Sequence, residues 1–263
     1  MYKSYLMGRE RQSKNNTGRK NKNLREPLRL NRFIANAGIC SRREADEYIL
    51  AGYVTVDGEL VKELGTKVTP DADVRFKGKR LTPEKKVYLV LNKPKDVITT
   101  VDDPYAKKTV MDLVRDACRE RIYPVGRLDR HTTGVLLFTN DGDLAKKLTH
   151  PAYKVAKIYH AVLDKPLTGD DMSKIAAGAE LVDGKVEVDE IAHIDESDKS
   201  QVGLQIHSGR NRIVRRIFEH FGYKVNKLDR VCFAGLTKGN VSRGKWRHLT
   251  KKEVSMLKRN IFK

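Results

Sequence analysis

Apolar residues in "LRLNRFIANAG" fall at Leu30, Phe33, Ile34 and Ala37, the three- and four-residue spacing of one helix face, and Gly38 supplies a stop. A second short helix opens at Ser41, which stands three residues before Glu44 as a capping box requires; Ala45, Ile49 and Leu50 are expected to face inward. The alternation in "YVTVDGELVK" predicts two strands turned at Asp57-Gly58. This segment closes around "VRFKGKRL", and "TPEKK" reads as a linker.

Beyond the linker the pattern becomes denser. Strand signals recur at "KVYLVLNKP", "RIYPVG", "GVLLFTN", "KIYHAVL", "KVEVDEIAHI" and "QVGLQIH", with helical periodicity at "TVMDLVRDAC", "DGDLAKKLTH" and "GRNRIVRRIFEHF". Strands and helices mixed without strict alternation predict an α+β domain on a largely antiparallel mixed sheet. The expected layout is a small domain over 28–81, a linker over 82–86 and a larger domain over 87–263. No internal repeat is present. Residues 1–27 are polar, basic and rich in Asn, with little to bury, and are expected to be a disordered tail. It is either a solubilising segment or an arm that orders on a phosphate backbone, and Met7 is an alternative start to Met1.

Charge narrows the partner. Fifty-three Lys and Arg against 34 Asp and Glu give a net +19, which points to a polyanion; nucleic acid fits best, though anionic membranes and ribosome surfaces would also serve. Cys40, Cys118 and Cys232 lie far apart and form no CxxC pair, as in a reduced, cytoplasmic protein without a disulfide framework. The seven histidines are scattered, so no metal site is expected. Apolar runs fall short of a membrane span, and the N-terminus lacks the apolar core of a secretion signal. A monomer with no membrane partner is expected.

The candidate chemistry centres on "GRLDRHTTGVLLFTNDG", where Asp129 lies between Arg127 and Arg130 on a loop joining two strands. Neighbouring cations favour the charged form of a carboxylate, which makes it a poor general acid but a competent nucleophile. On spacing alone, a structural ion pair that pins the loop accounts for the arrangement at least as well. Thr132 and Thr133 read as loop-shaping. In "GRNRIVRRIFEHF" the apolar stripe is Ile213, Val214, Ile217, Phe218 and Phe221, with Arg212, Arg215, Arg216 and Glu219 on the other face. With Arg210 added, these arginines repel one another unless an anion or a carboxylate stands opposite; Asp129 and a phosphate are the candidates. Arg42 and Arg43 occupy a first helical turn, where the helix dipole disfavours cations. They are a solvated helix end or a seat for an external anion.

Two resemblances add to this reading. "RLNRFIANAGICSRREADEYILAGYVTVDGELV" resembles the small RNA-binding domain first known from ribosomal protein S4. That implies RNA recognition by shape and phosphate contact, with Arg32, Ser41, Arg42 and Arg43 as contacts. "VGRLDRHTTGVLLFTNDGDLAKKLTHP" closely resembles the catalytic motif of the ribosomal RNA pseudouridine synthases that carry such a domain. The likeness extends through "YLVLNKPKDVITTVDDP", "KTVMDLV", "KIYHAVL", "SGRNRIVRRIFEHFGYKVNKLDR" and "RGKWRHLT".

The resemblance implies the pseudouridine synthase fold and a uridine isomerisation that needs no cofactor or metal. Asp129 is then the catalytic aspartate, Tyr159 the tyrosine packed against the target base and Arg215 the arginine paired with the aspartate. Arg127, Arg130, Lys157 and Arg212 are expected phosphate contacts. The chain departs from the family pattern at Ile213, where Gln or Glu is common, and at Asp96, where Gly is common. "GRNRIVRR" and "RGKWRHL" look more like the large-subunit enzymes than the small-subunit one, so ribosomal RNA or a precursor ribosomal subunit is the expected partner. Alternatives are a non-catalytic RNA-binding ribosome-assembly factor that keeps the fold, and a nucleoside hydrolase or base-excising glycosylase. The intact set of Asp129, Tyr159 and Arg215 favours the isomerase.

Overall fold

The computed structural model describes residues 26–101 and 108–260, so the tail read at 1–27 lies outside the described residues except for its last two. The chain divides into two compact units after Thr82.

In the first unit, β1 (Leu28–Arg29) runs directly into α1 (Leu30–Asn36), which ends before Gly38 at φ 78°. α2 (Arg42–Leu50) opens with the full capping box: Glu44 N–H donates to Ser41 Oγ at 3.2 Å, and Ser41 N–H donates to Glu44 Oε2 at 2.6 Å. β2 (Val54–Val56) and β3 (Glu59–Leu60) form the expected hairpin, with Asp57 and Gly58 both at positive φ, as a type I′ turn needs. β4 (Lys67–Val68) pairs with β1, and β5 (Val74–Phe76) and β6 (Lys79–Arg80) complete a four-stranded sheet ordered β3-β2-β5-β6. Leu30, Phe33, Ile34, Ala45, Ile49 and Val54 pack in one core. Leu50 departs from expectation: it closes α2 one residue round from Ile49 and is exposed.

The second unit contains β7 (Tyr88–Lys93), α3 (Val110–Val114), β8 (Tyr123–Pro124), β9 (Thr133–Thr139) and α4 (Gly142–Thr149). It continues with β10 (Lys157–Leu163), α5 (Gly169–Ala176), β11 (Ala179–Leu181), β12 (Gly184–Val186), β13 (Glu190–His193) and β14 (Gln201–Ile206). It ends with α6 (Ile213–His220), β15 (Val225–Phe233), β16 (Leu236–Thr237), β17 (Trp246–His248) and α7 (Lys251–Lys258).

The main sheet is ordered β13-β14-β10-β15-β9-β7-β17, with β8 beside β9 and β16 beside β15. β9 and β15 pair in parallel and the other neighbours are antiparallel, which makes the sheet mixed and the domain α+β. Alternate residues of β7 and β9 feed two separate cores. Leu89, Leu91, Leu136 and Phe138 pack in one with Ile217 and Phe218 of α6. Tyr88, Val90, Val135 and Leu137 pack in the other with Leu144 and Leu148 of α4 and Leu257 of α7. Burial on both faces is why "YLVL" and "VLLF" are continuous apolar runs rather than alternating ones.

Several elements differ from the sequence reading. "KVEVDEIAHI" is two strands, β12 paired with β11 in a small hairpin and β13 at the edge of the main sheet. β15, central in that sheet, carries Asn226, Lys227, Asp229 and Arg230 among its apolar residues and gave no clear strand signal. Residues 84–86, expected to be linker, hydrogen-bond to Asn140 through Glu84, the Lys85 carbonyl and the Lys86 ammonium.

Candidate active site

Asp129 lies on the loop between β8 and β9, and that loop is organised by a lysine. Lys93, at the end of β7, has no solvent exposure. Its Nζ donates to the carbonyl oxygens of Pro94 (3.2 Å), Asp129 (3.0 Å), Arg130 (3.3 Å) and Thr132 (2.9 Å). Burial pushes the ammonium down to about 8, against the opposing pull of Asp129 and Asp96. Thr99 adds a second tie: its Oγ1 donates to the Leu128 carbonyl at 2.8 Å and accepts from Leu128 N–H at 3.3 Å.

The loop is therefore fixed through its main chain. Among the described residues no ion pair within 4 Å joins Asp129 to Arg127, Arg130 or Arg215, and its carboxylate takes no protein hydrogen bond. Arg130, exposed, leans instead on Asp96 at 3.6 Å, and His131 does so at 3.1 Å. Asp96 sits at φ 63°, a left-handed conformation that suits the Gly common there, and its N–H donates to the Arg130 carbonyl at 2.9 Å.

Asp129 opens onto a cleft of about 280 Å³, near the lower end for small-ligand sites. Arg127, Lys157, Tyr159, Arg212, Ile213 and Arg230 share its walls. Tyr159, on β10, is 8% exposed and directly opposite Arg230 of β15. The position at which the chain carries Ile213 instead of a polar residue is thus an apolar part of the cleft wall.

The arginines near α6 do not share one solvent face. Arg215 is buried among the apolar residues, and its Nη1 donates to the Val225 carbonyl at 2.6 Å. Burial holds its guanidinium below the ordinary arginine range, with Arg212 adding and the charge of Asp129 opposing. Arg216 binds Asp183 through both terminal nitrogens, and Arg210 lies 3.7 Å from the same carboxylate. Arg212, the N-cap residue at φ 47°, reaches Glu219 at 3.3 Å. The counter-charges are therefore Asp183 and Glu219, and Asp129 acts on Arg215 only as a nearby field.

In the first unit, Arg32 and Arg42 come together on a groove that also includes Arg29 and Lys67, neither singled out by sequence. Arg43 is exposed but does not line it, and the Ser41 hydroxyl serves the capping box. Lys93 and Arg230 are the residues that sequence reasoning missed in the second unit. The signal for Lys93 was its place at the end of an otherwise apolar run; Arg230 lay in the unrecognised β15.

Among the described residues no cluster of His, Cys, Asp or Glu could hold a metal ion, and no helix is long and apolar enough to cross a membrane. Comparison with known proteins identifies the two units. The family described as RNA pseudouridylate synthase matches residues 87–220, and the S4 domain family matches residues 28–74. Ribosomal large subunit pseudouridine synthase B of Bacillus subtilis is 40% identical over 233 residues, covering 88% of this chain and 95% of that protein. Dual-specificity RNA pseudouridine synthase RluF of Escherichia coli is 33% identical over 230 residues, covering 86% and 77%. A solved pseudouridylate synthase structure superposes with a TM-score of 0.63 at 28% identity over 88% of this chain and 99% of that one. The chain belongs to the RNA pseudouridylate synthases, isomerases that act on uridine in RNA, and carries an S4 domain ahead of its synthase domain.

Proposed function

We propose that this chain isomerises a specific uridine of large-subunit ribosomal RNA, with Asp129 as the catalytic carboxylate. The observation that carries this reading is the form of the Asp129 loop. Its backbone is fixed by Lys93, while Asp129 lines the cleft and, among the described residues, its carboxylate takes no protein hydrogen bond. The 40% identity to a large-subunit enzyme supports the choice of RNA.

In the reaction the C1′–N1 bond of uridine breaks, the base turns, and C1′ bonds to C5. The C5 proton is lost and N1 gains one, so the product is an isomer and no redox partner is involved. The carboxylate acts by attack at C1′ or by removing the 2′ proton to give a glycal. Either route requires the uridine to leave its stack and enter the cleft. Tyr159, nearly buried on the rigid β10 strand, packs against the turned base. Arg215, whose charge interacts with that of Asp129, supplies positive potential among RNA phosphates that oppose the carboxylate. The S4 domain, through Arg29, Arg32, Arg42 and Lys67, contributes phosphate contacts and register.

The test is to incubate unmodified large- and small-subunit ribosomal RNA with the protein and map carbodiimide-dependent reverse-transcription stops. One new stop in large-subunit RNA is expected. A stop confined to small-subunit RNA reassigns the substrate. No stop on free or subunit-assembled RNA leaves an RNA-binding assembly factor.

A further inference from the structure

The cleft beside Asp129 contains two cations for which breaking and remaking a glycosidic bond has no evident use. Arg230 is 3% exposed, and its Nε donates to the Val135 carbonyl at 2.9 Å. Its guanidinium lies 4.5 Å from the centre of the Phe233 ring, and its buried Nη2 has no hydrogen-bond partner among the described residues. Lys157 donates to the carbonyls of Val155 (3.1 Å) and His207 (2.8 Å). Both residues line the cleft. Burial, with the charge of Arg230 adding and Asp189 opposing, pushes Lys157 down to about 8.

Among the described residues no carboxylate lies within 4 Å of either cation, whereas Arg216, Arg243 and Arg247 each have one. Asp229, next to Arg230 in sequence, is already bound by Lys238, Arg243 and Thr133. A buried Arg230 and a partly buried Lys157, with no carboxylate beside either, leave positive charge uncompensated in the cleft wall, which an arriving anion offsets. Uracil is neutral, and the acceptors it offers a cation are its two carbonyls. A phosphodiester brings a full negative charge and two non-bridging oxygens, which answer the charge of Arg230 and the unused proton of Lys157.

We propose that Arg230 and Lys157 form the seat for a phosphate group of the flipped nucleotide, making Arg230 a substrate-positioning residue of the cleft. This rests on the reading of the cleft as the uridine site. Arg230 lies opposite Tyr159 across β15 and β10, so a phosphate held there fixes the ribose relative to the group that packs on the base. Phosphate contacts position a nucleic acid and carry no base identity, so the seat sets the geometry of C1′ against Asp129.

The experiment titrates the full chain with uridine, uridine 3′-monophosphate and uridine 5′-monophosphate at physiological salt, by calorimetry. One monophosphate is expected to bind about tenfold more tightly than uridine, the worth of one or two charge-assisted hydrogen bonds. Arg230→Gln and Lys157→Gln should each erase that preference, Arg230→Lys should keep part of it, and Lys252→Ala, an exposed lysine of α7, should keep all of it. Lys157→Gln retains the test if Arg230→Gln fails to fold. Equal binding of uridine and both monophosphates overturns the proposal, as does a preference that survives both Gln variants or is lost equally in Lys252→Ala. Isomerisation of RNA without a phosphate preference removes the seat and keeps the catalytic reading; a preference without isomerisation does the reverse.

Discussion

The Lys93 ammonium donates to the backbone carbonyl of Asp129 at 3.0 Å, so the residue bearing the candidate catalytic carboxylate is held by its main chain. Lys93→Met removes the shared donor of the Pro94, Asp129, Arg130 and Thr132 carbonyls. Two effects then oppose one another: the carbonyls go unpaired, but a charge that burial disfavours disappears. Net stability is expected to change by less than about 2 kcal/mol, because unpaired carbonyls and relieved desolvation are of similar size. Turnover should fall at least about tenfold, since small misplacement of a reacting group carries costs of that order. Urea unfolding and single-turnover rates check both parts; an unchanged rate means the loop is held by other contacts.

The same burial sets a pH dependence. In the folded chain Lys93 and Lys157 both titrate near 8, below the 10.5 of a free lysine. Between about pH 8 and pH 10.5 the unfolded chain therefore binds more protons at these sites than the folded chain, so their contribution to stability rises with pH. Function goes the other way, because a neutral amine has one donor fewer for the loop and for an anion. Turnover should decline as pH passes about 8, and Lys93→Met should show a flatter stability slope from pH 7.5 to pH 9.5 than wild type. Equal slopes in the two proteins contradict the assignment.

Gly134 is where the parallel pairing of β9 and β15 requires a missing side chain. It sits at φ 108°, and an added Cβ would meet the Arg230 carbonyl oxygen and lie 2.6 Å from Asp229 Oδ1. Gly134→Ala combines a disfavoured φ with a backbone clash, and should cost about 3 kcal/mol or more in unfolding free energy. Denaturant unfolding measures it; a loss below about 1 kcal/mol means the strands separate freely at this point.

For the S4 domain, Arg42→Ala should weaken ribosomal RNA binding more than Arg43→Ala, because only Arg42 lines the groove with Arg29, Arg32 and Lys67. Each lost phosphate contact should reduce the slope of log K against log salt by about 0.7 to 0.9. Filter binding at several salt concentrations tests this, and unchanged affinity in both variants places the footprint elsewhere.

The elements with regular apolar spacing were legible in the sequence: α1, the capping box at Ser41, the Asp57-Gly58 hairpin, β7, β9 and β10. Asp129 was visible as a carboxylate on a loop between strands, but spacing alone did not separate a nucleophile from a loop-pinning ion pair. Lys93, which holds that loop by its main chain, meets its partner carbonyls 36 to 39 residues further along the chain, and no local pattern encodes that closure. A helical wheel puts Arg215 on the polar face of α6 because it assumes solvent opposite the apolar stripe. In the fold, the Val225 carbonyl at the start of β15 closes over that side. β15 itself was obscured by the polar residues that make it useful, Asp229 tying down β9 through Thr133 and Arg230 bordering the cleft.

The most direct measurement is the carbodiimide map of ribosomal RNA treated in parallel with wild type and Asp129→Asn, together with the RNA affinity of each. The predicted result is one stop with wild type, none with Asp129→Asn, and dissociation constants within a few-fold of one another, since the carboxylate repels phosphate rather than attracting it. A stop of near wild-type intensity with Asp129→Asn would contradict the account and return Asp129 to a structural part in its loop.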